Sequence, residues 1–141
     1  MTSTEANREY LSHVTLMLLG HDLQPAAITR TLGLRPSQSW MRGDASRLSA
    51  SGSVHSHDGW KKFLPESLRR RQLPSQLRFW VHKLRGREAI LAKLAHDGCL
   101  CMLDCYISTS ATASVIVPPD LQQAVAGLGL ELRLSFFATA D

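Results

Sequence analysis

An α+β fold, built on a mainly antiparallel sheet of four or five strands with helices packed on one face, follows from three patterns in the sequence. Residues 12–19 set Val14, Leu16 and Leu18 on one side against Thr15, Met17 and Leu19 on the other. Two segments, at 25–34 and 119–130, open on proline and close on Leu-Gly-Leu. Residues 99–107 and 130–136 each alternate with period two. Period two sends side chains to opposite faces of a strand, whereas a proline start with a glycine stop marks a helix. Strands flank both Leu-Gly-Leu helices, which predicts two strand–helix–strand units crossing over right-handed, as in ferredoxin-like folds.

The elements follow in chain order. The strand at 12–19 is apolar on both sides, which suits a central position rather than an edge. Pro25 fits a first helical residue, Ile28 and Leu32 share one face, and Gly33 supplies a left-handed stop. Leu34 would then fold back onto Ile28 in a Schellman ending. Gln24 is a poor N-cap. Residues 37–58 carry Ser46, Ser49, Ser51, Ser53 and Ser56 with Gly43 and Gly52, a composition that predicts a flexible loop. Trp40 either pins that loop to the core or offers an exposed aromatic contact.

A short strand is expected at 59–64, with Trp60 and Phe63. Pro65 and Pro74 bracket a helical turn carrying Arg69, Arg70 and Arg71. Residues 75–97 are helical, with Leu77, Val81 and Leu84 in one stripe and Trp80 beside it. Gly86 should kink or split this helix, since an interior glycine costs about 1 kcal/mol. Cys99–Ser108 reads as a strand with Cys99, Cys101, Leu103, Cys105 and Ile107 inward, and 113–117 as its hairpin-like partner. After the helix opened by Pro119, a last strand should bury Leu130, Leu132, Leu134 and Phe136 and wet Glu131, Arg133 and Ser135.

With 141 residues, the chain falls within the usual size of one domain. Its polar first ten residues hold no hydrophobic signal core, and no apolar run approaches the ~20 residues of a membrane span. Three cysteines, an odd number, disfavour a disulfide framework and point to the cytoplasm. Charge is unevenly spread. Ten Lys and Arg lie between Lys61 and Lys93 against Glu66 and Glu88, while the remaining chain is net acidic. Such a split predicts one positive face able to attract an acidic partner.

These landmarks resemble a bacterial family catalogued as domain of unknown function 4279. The resemblance rests on the leading strand, Asp22-Leu23 with Pro25, Ile28, Leu32-Gly33-Leu34, Pro36 and Arg42-Gly43-Asp44. It continues through Trp60, Leu84, Gly98 and Leu128-Gly129-Leu130, and so spans most of the chain. Gln24 and Pro118 stand where small polar caps are expected, and the serine-rich loop matches weakly. The resemblance implies no established activity. Some members resemble immunity-type binding proteins.

Candidate chemistry is sparse. His55-Ser-His57-Asp58 is the most metal-like stretch, but zinc needs three or four convergent ligands. His55 and His57 therefore remain candidates in a solvated loop, and no metal or cofactor is assigned. Alternate strand residues lie ~6.6–6.8 Å apart, too far for Cys99, Cys101 and Cys105 to share an ion or a disulfide, so they read as core. Phosphate-binding and nucleophile motifs are absent. Asp44, Asp58, His55 and His57 share a loop that nothing rigid orders, so an enzyme is not expected.

What remains is a small cytoplasmic binding module, immunity- or adaptor-like, that meets an acidic protein through its basic face. Arg70, Arg71, Arg78 and Arg85 would attract, and Trp40 or Trp60, with Arg42 nearby, would dock. Nucleic acid on the same face is the alternative, since cations with interleaved aromatics also suit phosphates and bases. A homodimer is a further expectation, because Met102 and Tyr106 on the second face of the cysteine strand need cover.

Overall fold

The computed structural model describes residues 10–45, 53–110 and 112–139. Residues 46–52 of the predicted serine-rich loop, and the first nine residues, lie outside the described residues. The elements run β1 (Leu11–Gly20), α1 (Pro25–Leu32), β2 (Gln38–Trp40), β3 (Asp58–Lys62), α2 (Leu73–Leu84), α3 (Glu88–His96), β4 (Leu100–Thr109), α4 (Pro119–Gly127) and β5 (Glu131–Ala138). A 3-10 turn, Glu66–Leu68, precedes α2. No helix among the described residues is long and apolar enough to cross a membrane.

The five strands form one mixed sheet in the order β2-β3-β1-β4-β5. Three pairings are antiparallel, and β4–β5 is parallel. Strand β1, apolar on both sides, is indeed central. The two strand–helix–strand units differ. In β4–α4–β5 the strands are hydrogen-bonded neighbours, whereas β3 separates β1 from β2.

Helices cover one face of this sheet. Val14, Leu16 and Leu18 of β1 join Cys101, Leu103, Cys105 and Ile107 of β4 in a core closed by Ile28, Leu77, Trp80, Leu91 and Leu121 from the four helices. Two fully buried indoles tie the layers together. Trp80 Nε1 donates to the Val14 carbonyl at 2.9 Å, and Trp60 Nε1 donates to Thr29 Oγ1 of α1 at 3.0 Å.

Glycine ends the helices as expected, with one difference of detail. Gly33 (φ 70°) returns its N–H to the Thr29 carbonyl at 3.0 Å, the simpler left-handed ending rather than a Schellman motif. The Schellman pair occurs instead after α4, where Gly129 and Leu130 donate to the Ala126 and Val125 carbonyls. Gly86 (φ 87°) splits 73–96 into α2 and α3.

Three expectations are corrected. Residues 113–117 form no strand of the sheet among the described residues, although Val115 and Val117 rest against the core. The irregular stretch after α1 contains β2, whose three residues are too few to display alternation. Strand β5 does not bury its even side chains past Leu132. Leu134 is 41% and Phe136 61% exposed, because β5 is the sheet edge and α4 reaches only its start.

Candidate binding site

Among the described residues one face of the sheet carries no helix, and β1 shapes it through the side chains opposite its core set. Opposed residues of antiparallel strands point the same way, so the pairs Met17–Lys61, Thr15–Asp104 and His13–Tyr106 share this open face. The chain leaving β3 brings Phe63 alongside, and the loop after the 3-10 turn adds Arg69, Arg70 and Arg71. Together they enclose a concavity of about 940 Å³, with its floor on β1 and β4.

Its electrostatics are one-sided. Lys61, Arg69, Arg70 and Arg71 line it against Asp104, whose Oδ1 lies 3.9 Å from Arg133 Nε. Arg69 is engaged by Glu66 at 3.0 Å. The Lys61 ammonium hangs between two rings, 5.3 Å from Phe63 and 5.7 Å from Trp40, a cation–π geometry. Tyr106 is half exposed and stacks on Phe137 at 4.1 Å.

His13 is the unusual group in this wall. Its Nε2 is buried with no hydrogen-bond partner among the described residues, and its ring leans on Phe63. Burial pushes its pKa below the ordinary 6.5, helped by Arg69 and Lys61 and opposed by Glu66. The folded chain thus holds His13 neutral, whereas the unfolded chain protonates it near its ordinary value. The resulting stability is fully present above about pH 6.5 and is lost as pH falls from there through the lower folded pKa. Replacement by glutamine, His13→Gln, is expected to shrink the fall in urea midpoint between about pH 7.5 and pH 5. An equal fall in both proteins would assign the acid sensitivity elsewhere.

The predicted binding residues separate into two groups. Arg70 and Arg71 line the concavity. Trp40 lies on the same face at the β2 edge, half-buried, with its ring stacked on His55 at 4.6 Å. It lies across Gly59, where a Cβ would overlap the indole, so any larger residue there would displace Trp40. Arg42 follows in an exposed turn whose backbone N–H donates to Asp58 Oδ1 at 2.6 Å.

Trp60 belongs to the opposite face. It is fully buried, and its expected role as a docking anchor is corrected, since no part of the indole reaches the surface. Arg78 and Arg85 also lie elsewhere, on the outer side of α2, around a groove of about 370 Å³ shared with α4. There Arg78 meets Asp120 at 3.5 Å. The single positive face expected from charge counting is therefore two surfaces. Arg87 serves neither, because its guanidinium donates to the Leu32 and Lys83 carbonyls at the ends of α1 and α2.

His55 and His57 do not converge. His55 stacks on Trp40, while His57 packs on His21 at 4.7 Å and shares a hydrogen bond with Ser56. Among the described residues no three His, Cys, Asp or Glu are grouped as a metal site would need. Asp58, expected in a loose loop, is instead buried and fixed, accepting from the Leu23 and Arg42 backbone N–H groups.

Sequence reasoning missed His13, Lys61, Phe63, Arg69 and Asp104 as one site. The available signal was the second face of the two long strands, already visible in Met17, Met102 and Tyr106. A protein-family model described as Domain of unknown function (DUF4279) matches residues 8–137. No curated protein and no solved structure matches the chain.

Proposed function

Because the chain belongs to the DUF4279 family, whose description assigns no activity, we propose a function from its geometry: it is a binding module that takes an acidic segment of a partner protein into the open-face concavity. The observation that carries this reading is the pairing of four cations with an apolar and aromatic floor in one recess. Lys61, Arg69, Arg70 and Arg71 would draw carboxylates in, and Phe63, Met17 and Tyr106 would bury an apolar side chain between them. Trp40 and Arg42 extend the surface past the β2 edge. Three buried free thiols suit a reducing, cytoplasmic setting.

The nucleic-acid alternative uses the same cations but fits less well. Tyr106 already has one ring face on Phe137, which halves the area it can offer to a base.

The test compares a fluorescent peptide rich in glutamate and carrying one phenylalanine with a single-stranded oligothymidylate. The peptide should bind more tightly, and the double substitution Arg70→Glu with Arg71→Glu should weaken it by about tenfold or more. Substituting Arg78→Glu with Arg85→Glu, on the other surface, should change it less than about twofold. Preferred binding of the oligonucleotide, or equal loss from both double variants, would overturn the reading. Affinity purification from the native host with and without nuclease distinguishes the two partner classes in the same way.

A further inference from the structure

The three cysteines are not equivalent, and two of them are close together. Cys99 and Cys101 place their sulfur atoms 3.9 Å apart in a Cys-Leu-Cys sequence. The spacing of alternate strand residues had argued against any bond between them. That argument fails because β4 begins at Leu100, leaving Cys99 in the turn after Gly98 (φ 95°). Its backbone N–H donates to the Leu94 carbonyl of α3 at 2.9 Å, so its side chain is set by the helix end rather than by the strand.

We propose that Cys99 and Cys101 are a redox-modification site, a dithiol that closes reversibly to a disulfide on reaction with a peroxide. Closing the pair requires the sulfurs to approach from 3.9 Å to about 2.05 Å, a movement within reach of side-chain rotation at the unpaired residue. The thiols share a hydrogen bond, and this sharing pulls Cys101 below the ordinary thiol range while sharing and burial push Cys99 above it. Cys101 is therefore the group that supplies a thiolate. Cys105 is the internal reference: it is fully buried, with its pKa pushed up to about 12 by desolvation. Both reactive sulfurs are nearly buried, which favours a small oxidant such as hydrogen peroxide over a bulky disulfide.

The steps balance. Cys101 thiolate attacks one peroxide oxygen, an S–O bond forms, the O–O bond breaks, and hydroxide leaves to take up the proton lost from the thiol. The resulting sulfenic acid is attacked by the Cys99 sulfur, which releases its proton; the S–S bond forms and a second water departs. Two thiols are oxidised by two electrons, and one peroxide is reduced to two waters. A low-molecular-weight dithiol reverses the bond by exchange. The pair lies on the core side of β4, where Cys101 opposes Leu18, so it is independent of the concavity on the other face.

The test treats the native protein with a slight excess of hydrogen peroxide, quenches with catalase, alkylates under denaturing conditions and measures intact mass. The oxidised chain should lose about 2 Da before alkylation and retain one alkylatable thiol of its three, with the bond mapped to Cys99–Cys101. Dithiothreitol should restore all three. The variant Cys105→Ala should show the same mass loss and no remaining thiol. Three alkylatable thiols after peroxide, a bond that includes Cys105, or stable oxygen adducts without mass loss would each overturn the proposal.

Discussion

The substitution Trp80→Ala is expected to destabilise the fold by about 3–5 kcal/mol. The indole is fully buried between α2 and the central strand, so alanine removes its apolar burial and leaves a cavity in a close-packed core. It also leaves the Val14 carbonyl without the 2.9 Å bond from Nε1. Val14, paired with Cys105 of β4, stands just outside the β1–β3 ladder, which covers Leu16–Gly20, so this bond carries on where pairing with β3 has stopped. Domains of this size are stable by only about 5–15 kcal/mol, and the variant should therefore be partly unfolded at physiological temperature. Urea denaturation checks it. The conservative Trp80→Phe should keep most of the burial and lose about 1–2 kcal/mol, chiefly from the unpaired carbonyl. A loss below about 1 kcal/mol for Trp80→Ala would show that α2 does not hold the sheet in this way.

How much of this was legible depends on what each pattern encodes. Periodicity gives direction along a long element, so the inward set of β1 and β4 and the stripe with Trp80 on α2 came through. Trp60 and Phe63 did not, because a five-residue strand with one aromatic inside it and another just past its end does not say which side faces the helices. Charge counting has no direction at all. Arg69–Arg71 and Arg78–Arg85 are neighbours in sequence, yet the end of the loop and the phase of α2 send them to two surfaces. Pairing is equally invisible from one segment. Residues 113–117 have strand-like composition but join no strand of the sheet among the described residues, and β2, with only three residues, gains its identity from β3. The concavity was hardest to see, since a site formed by the second face of a sheet needs strand order, and that is a long-range property.

The substitution Gln76→Ala is expected to cost about 2–4 kcal/mol and, unlike Trp80→Ala, to reach the candidate site directly. Gln76 is fully buried, and its amide joins three segments. Nε2 donates to the Ser12 carbonyl (3.0 Å), the Leu68 carbonyl (3.0 Å) and the Arg71 carbonyl (3.2 Å), while Oε1 accepts from Ser12 Oγ (3.0 Å). An amide has two N–H groups, so the three acceptors share them, and alanine leaves several buried polar groups unpaired at once. The loop bearing Arg69, Arg70 and Arg71 would lose its attachment to β1. Amide exchange should accelerate at 68–73 more than in β4, and the acidic peptide should bind less tightly even under conditions where the variant is fully folded. The isosteric Gln76→Glu separates shape from bonding: it fills the same space but removes both donors and adds a buried charge, so it should be at least as damaging. If exchange at 68–73 is unchanged in Gln76→Ala, the loop is held by something else. The physical point is that a neutral, buried amide places these cations. Salt should therefore screen their attraction for a partner while leaving their positions intact, whereas Gln76→Ala should alter the positions while leaving the charges in place.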